Sequence, residues 1–188
     1  MNPSTIVIAA VGTSGSGKTT TLEYLIANLT AEGYKIGAIK HIHLQNFTLD
    51  KEGTNTWRYA KAGAKIVVGL SPHEIATIKK TETSPNQIDQ LIKSLEPENL
   101  DIIFIEGLHD TMSKRSDIPK IITAKDPSDL EEALKKAVKP VLAISGLVAL
   151  NAHKKDKAAA PYIKIPADGP RLLKMIKELL NVQNEAKN

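Results

Sequence analysis

The sequence predicts an α/β fold: a mostly parallel β-sheet flanked by helices, with one β-hairpin excursion. Three observations predict it. Short β-branched runs alternate with longer amphipathic stretches along the 188 residues, the pattern of repeated βα units. Aromatic residues make up only 4% of the chain, so Ile, Leu, Val and Ala must fill the core, as in a parallel sheet buried on both faces. A glycine-rich segment stands between the first apolar run and the first amphipathic stretch, where a strand-to-helix turn is needed.

Residues 5–11 read as the first strand and 18–31 as the first helix. Leu22, Leu25, Ile26 and Leu29 recur there at helical spacing, and Gly33 stands just past the end as a stop signal. Residues 34–40 read as a strand and 54–62 as a helix. The runs 66–70 and 74–79 flank Ser71-Pro72-His73, close enough to pair as the antiparallel excursion. A helix over 85–95 leads to a strand at 101–106, and a further strand is expected at 118–122. Ser128, with Glu131 three residues on, fits a capping box for a helix over 128–137. Strands at 141–144 and 162–165 precede a last helix, 170–182, whose stripe is Leu172, Leu173, Ile176, Leu179 and Leu180. Residues 1–182 therefore read as a single domain and 183–188 as a frayed polar tail.

Lys and Arg number 25 against 21 Asp and Glu, a net charge of +4. Only Lys154, Lys155 and Lys157 cluster densely, so no nucleic-acid partner is expected. No run approaches the roughly 20 apolar residues that span a bilayer, and no membrane association is expected. The run 6–11 lacks a preceding basic region and a cleavage site. The chain has no cysteine, which excludes disulfides, thiolate chemistry, iron–sulfur clusters and Cys-based zinc sites. A cytoplasmic protein is the expectation.

Gly12-Thr13-Ser14-Gly15-Ser16-Gly17-Lys18-Thr19 matches G-x-x-x-x-G-K-[ST] in full, with a strand before it and a helix after it. Such a loop turns backbone N–H groups around phosphate oxygens, over the positive end of the helix. Lys18 would reach the β- and γ-phosphates and the Thr19 hydroxyl would ligate Mg²⁺. The expected fold is thus a P-loop NTPase, with 1–182 its nucleotide-binding domain. Thr13 excludes the deviant loops of partition-type ATPases, which carry a lysine at that place.

A P-loop site needs a carboxylate at a strand end. Glu106 closes the apolar run 102–105 and is expected at the carboxyl edge of the sheet as a Mg²⁺ or water-positioning residue, with Asp101 at the opposite end. Asp50, in the loop after the second strand, reads either as part of a switch segment near the γ-phosphate or as a surface aspartate. Lys40 and His41 read as contacts to an anionic ligand or as solvated loop residues. His41 and His43 share a side of an extended segment, yet no third ligand stands near, so no zinc site is expected. Asn151-Ala152-His153-Lys154 and Lys155-Asp156 approximate the guanine-reading Asn-Lys-x-Asp without matching it, and spacing leaves the base undecided. Trp57 reads as packing the helix 54–62 onto the sheet, with base stacking as the lesser reading.

Several blocks together resemble the MobB family of molybdenum cofactor biosynthesis. They are the run from Val11 to Thr20, Ile39-Lys40-His41-Ile42-His43, Asp50-Lys51-Glu52-Gly53, the run from Trp57 to Ala64, and Ile103-Phe104-Ile105-Glu106-Gly107. The resemblance covers about the first 110 residues. It implies a GTP-binding accessory protein, at most a slow GTPase, that aids attachment of GMP to molybdopterin to give the guanine dinucleotide form. It implies a MobA-type guanylyltransferase as partner, and a homodimer. Carried onto this chain, Gly12, Thr13, Ser14, Gly15, Ser16, Gly17, Lys18, Thr19 and Thr20 hold the phosphates. Thr19 and Glu106 serve Mg²⁺, and Asp50, inside a matching block, joins Lys18 and Glu106 as a metal and catalytic candidate. The chain departs from the family at Thr54-Asn55 and Leu108-His109, where partner or substrate contacts would lie.

No arginine is placed convincingly as a finger, Arg58 being the nearest, so hydrolysis is expected to be slow without a partner. Two other readings share the fold: a small-molecule kinase or ATP-dependent ligase, and a non-enzymatic nucleotide-gated adapter or metallochaperone.

Overall fold

A computed structural model describes residues 5–44, 46–84, 87–152 and 160–185. They form two compact units, one of residues 1–41 with 88–188 and the other of residues 42–87. The second unit begins after His41, where the chain leaves the second strand.

The first unit is built on a parallel sheet in the order β2-β5-β1-β6-β7. Its strands are β1 Ile6–Val11, β2 Ile36–Lys40, β5 Ile102–Glu106, β6 Lys120–Thr123 and β7 Val141–Ser145. Alternation along β1 and β5 sorts the apolar residues to two faces. Ile6, Ile8, Ala10, Ile102 and Phe104 pack against Leu22, Leu25 and Leu29 of α1 (Lys18–Ala31) and Leu172, Leu173, Ile176 and Leu180 of α7 (Gly169–Glu185). Ala9, Val11, Ile103 and Ile105 face the other way. They meet α3 (Ile88–Ser94), α4 (His109–Met112), α5 (Pro127–Lys136) and α6 (Leu147–Leu150). Helices therefore cover both faces, and the strands read as continuous apolar runs because neither side meets water.

Glycine ends α1 as its sequence foretold. Gly33, at φ 93°, donates to Thr30 O (3.0 Å), and Tyr34 donates to Leu29 O (3.1 Å), closing a Schellman turn. Two local expectations need correction. The N-cap of α5 is Asp126, whose Oδ1 accepts from Asp129 N at 2.9 Å, because Pro127 fits the first helical position and moves the cap upstream of Ser128. The strand expected at 162–165 is only a single parallel bridge, Tyr162 to Ile144. Pro161 and Pro166 bracket it and supply no N–H, so no ladder propagates. The helix α7 continues to Glu185, past the boundary set at 182.

At the amino edge of the sheet, Lys120 is fully buried; its Nζ donates to Ile118 O at 2.8 Å and to Arg115 O. Burial holds its ammonium below the ordinary lysine range, with Asp117 opposing and Arg115 adding to the effect. Lys120→Met leaves those two carbonyls unpaired and is expected to lower stability by about 1–3 kcal/mol at neutral pH, read by urea unfolding. The native state gives up the Lys120 proton before the unfolded chain does. Stability of the wild type relative to the variant is therefore expected to rise as the pH climbs towards 10.5, the ordinary value. A difference that stays flat with pH would contradict this.

In the second unit, α2 (Asn55–Lys61) precedes an antiparallel hairpin of β3 (Ile66–Leu70) and β4 (Ile75–Lys79), the excursion read from the sequence. Thr54 caps α2 by accepting from Trp57 N at 3.2 Å. Trp57 is half-buried, with the Lys61 ammonium 5.6 Å from its ring centroid. Ile66, Val68, Leu70 and Ile75 leave an apolar face of the hairpin exposed.

Candidate functional site

The site begins with sheet register. Lys40 pairs with Glu106, and Ala10 pairs with Glu106 on the other side, so the ends of β2, β5 and β1 stand level. Glu106 continues the Ile102–Phe104 side of its strand, which is the side covered by α1. The Thr19 hydroxyl of α1 lies 3.0 and 3.1 Å from the two Glu106 carboxylate oxygens, and Lys40 forms an ion pair with Oε1.

The loop between β1 and α1 is held by close backbone approaches that only glycine permits. A Cβ at Gly12 would stand 2.1 Å from Thr123 O, and one at Gly146 would stand 2.0 Å from Ser16 O. Leu147 N donates to Ser16 O (3.2 Å), and the buried Ser16 hydroxyl bonds the Thr123 hydroxyl at 2.7 Å. Gly15 and Gly17 take positive φ on either side of Ser16, a curl that turns successive amides inward. Gly17 caps α1 without a side chain, and the first turn of α1 carries no acid, leaving the helix N-terminus open to an anion.

Lys18 folds back over the loop, its Nζ donating to Gly12 O (2.9 Å) and Thr13 O (2.6 Å). Burial pulls its ammonium below the ordinary lysine range; Glu106 pushes it back up, Lys40 lowers it and Asp129 raises it. Thr13 donates to Asp129 Oδ2 at 2.8 Å, the same oxygen that accepts from Lys125 N at 2.8 Å. Ser14, Thr19 and Thr20 are exposed. His41 extends the ladder by one bond, donating from its backbone N to Glu106 O at 2.9 Å, and its Cβ crowds Gly107.

Asp50 lies in the second unit. Its Oδ1 accepts from Thr54 Oγ1 (2.9 Å) and Thr56 Oγ1 (3.0 Å), at the start of α2 beside a cleft of about 630 Å³ lined by Val67, Leu70 and Ile78. His153–Asp156, the remainder of the approximate base-reading segment, lie outside the described residues. Sequence reading missed Thr123, Lys125, Asp129 and Gly146. The signal that could have found them is their place at or just past the carboxyl ends of β6 and β7, where ligands gather in open α/β sheets.

Among the described residues no group of three or more His, Cys, Asp or Glu could hold a metal. A hydroxyl and a carboxylate side by side, as at Thr19 and Glu106, nevertheless fit Mg²⁺, which takes one or two protein oxygens and completes its shell with phosphates and water. Glu106→Gln keeps an acceptor for Thr19 but removes the charge. It is expected to weaken nucleotide affinity about tenfold or more with Mg²⁺ and to have little effect in EDTA, read by titration in the two buffers.

This sheet order, with a G-x-x-x-x-G-K-T loop closing onto the helix after the central strand, defines the P-loop class of nucleotide-binding folds. The family model described as Molybdopterin guanine dinucleotide synthesis protein B matches residues 7–146, and the chain belongs to that MobB family. It is 35% identical over 122 residues to a molybdopterin-guanine dinucleotide biosynthesis adapter protein of Haemophilus influenzae, a match covering 65% of each chain. The adapter protein of Escherichia coli is 31% identical over 146 residues, 77% of this chain and 80% of that one. A putative adapter protein of Methanocaldococcus jannaschii is 37% identical over 122 residues, 64% of this chain. The matches span 65% and 47% of the lengths of the Haemophilus and Methanocaldococcus proteins. A solved MobB homolog from Bacillus stearothermophilus shares the fold at a TM-score of 0.67 and 20% identity, covering 95% of this chain and 98% of that one.

Proposed function

We propose that the protein is a Mg²⁺- and GTP-binding accessory protein, and at most a slow GTPase, that serves formation of molybdopterin guanine dinucleotide in the cytoplasm. One observation carries the reading: within a MobB chain, Lys18, Thr19, Glu106 and Lys40 converge at the mouth of a glycine-built loop. The loop amides and Lys18 hold the β- and γ-phosphates, while Thr19 and Glu106 hold the metal. When bound, Mg²⁺ supplies charge neutralisation between the phosphates. Lys40 pairs with Glu106 and adds a second cation to the mouth of the site.

The partner in this reading is a MobA-type guanylyltransferase, and the working form is a homodimer. The exposed face of Ile66, Val68, Leu70 and Ile75 supports a protein partner, because a two-stranded sheet with a bare apolar face gains from being covered. The site brings no arginine to the phosphates from its own unit, so the isolated protein is expected to turn over GTP well below about 1 s⁻¹, the low end for ordinary enzymes. A phosphate-release assay with and without the guanylyltransferase tests this. Rapid hydrolysis by the protein alone would contradict it.

A further inference from the structure

Past the ends of β6 and β7, two turns of the first unit enclose a slot of about 140 Å³. Pro127, Val148 and Ala152 give it apolar walls, Lys125 and Tyr162 add a long aliphatic stem and a ring, and Asp126 and Asn151 bring the polar groups. The slot borders the loop between β1 and α1 through Lys125. Lys125 Cε lies 3.7 Å from where a Gly15 Cβ would stand, and Lys125 N and Thr13 Oγ1 share Asp129 Oδ2. Val148 N donates to Ala124 O at 2.9 Å, and the next residue back, Leu147, bonds Ser16 of the loop.

We propose that this slot receives the nucleobase of the nucleotide whose phosphates the loop holds, and that the Asp126 carboxylate selects guanine. The inference rests on the triphosphate reading given above. A planar bicyclic ring suits a small slot with apolar walls and a few polar groups. Asp126 is fixed in orientation because its Oδ1 accepts from Asp129 N as the cap of α5. The second oxygen, Oδ2, offers acceptor capacity only. Guanine offers two adjacent donors, N1–H and the 2-amino group, to such a carboxylate. Adenine presents a bare N1 acceptor on the same edge, which the carboxylate repels. The Asn151 amide stands in the same slot and can donate to the guanine 6-oxo group. Two separate loops thus supply what the contiguous guanine motif would supply from one.

The test is the Asp126→Asn variant of the full chain, titrated with Mg²⁺ complexes of GTP, XTP and ATP and with inorganic tripolyphosphate. Asn caps helices as well as Asp does, so the fold is retained. With its amide oxygen on the cap, its amide nitrogen donates to the 2-oxo group of xanthine. GTP affinity is expected to fall about 10- to 100-fold and XTP affinity to rise by a similar factor, ATP affinity to rise as the carboxylate facing adenine N1 is removed, and tripolyphosphate affinity to stay unchanged. Unchanged GTP affinity with no gain for XTP would overturn the assignment. Equal losses for all four ligands would also overturn it, since Asp126 would then act on the phosphate loop. Failure of the nucleotide reading itself looks different: the wild type would bind none of the four in a Lys18-dependent way.

Discussion

Lys18→Ala is expected to weaken binding of Mg²⁺–GTP by about 10- to 150-fold, the range for losing one charge-assisted contact to phosphate. The fold should hardly notice. Lys18 is a half-buried cation whose ammonium is disfavoured by burial, and its partners Gly12 O and Thr13 O lie at the mouth of the loop, where water can replace it. Unfolding free energy should therefore move by no more than about 0.5 kcal/mol. A calorimetric titration paired with a urea melt separates the two effects. A variant that bound as tightly as wild type would remove the phosphate role from this loop.

At Gly146 both properties are expected to change. This residue has φ 82° and ψ −160°, a region that glycine alone occupies without strain. Its absent side chain also makes room for Ser16 O, since a Cβ would sit 2.0 Å away. Gly146→Ala must push apart the turn after β7 and the phosphate loop, breaking the Leu147 N to Ser16 O bond. A stability loss of about 2–4 kcal/mol is expected from strain and overpacking together, with loss of nucleotide binding at temperatures where the chain remains folded. Thermal melts followed by titration at low temperature check both parts. Gly146 thus supports the loop between β1 and α1 from a position more than a hundred residues away in the chain.

Much of the fold was legible because its strongest signals are local. The helix read over 18–31 matches α1 residue for residue, since Leu22, Leu25 and Leu29 set its buried stripe and Gly33 its end. β1 and β5 were legible as apolar runs because both faces of the sheet are covered. The single-turn helices at 109–112 and 147–150 are too short for periodicity to register. The cap of α5 was misplaced because Asp126 and Ser128 are both good caps, and Pro127 decides between them. The run 162–165 has strand chemistry without the N–H donors to extend a ladder.

The candidate site divides the same way. Its phosphate loop, Lys18, Thr19 and Glu106 were legible because each sits in a motif or at the end of an apolar strand. Thr123, Lys125, Asp129 and Gly146 carry no local signature; only the strand order places them against residues more than a hundred positions earlier. Asp50 was legible as a polar residue of interest, and its two hydroxyl donors from Thr54 and Thr56 were not, since that geometry depends on how the turn before α2 closes.

The account stands or falls on whether this loop and its neighbours bind a guanine nucleotide through phosphate and metal together. The most direct measurement is equilibrium titration of the wild-type chain with GTP and with ATP, each in the presence of Mg²⁺. The account predicts binding of GTP at least about tenfold tighter than ATP, the discrimination expected of one good polar contact to the base. Equal affinity for the two nucleotides, or none for either, would contradict it.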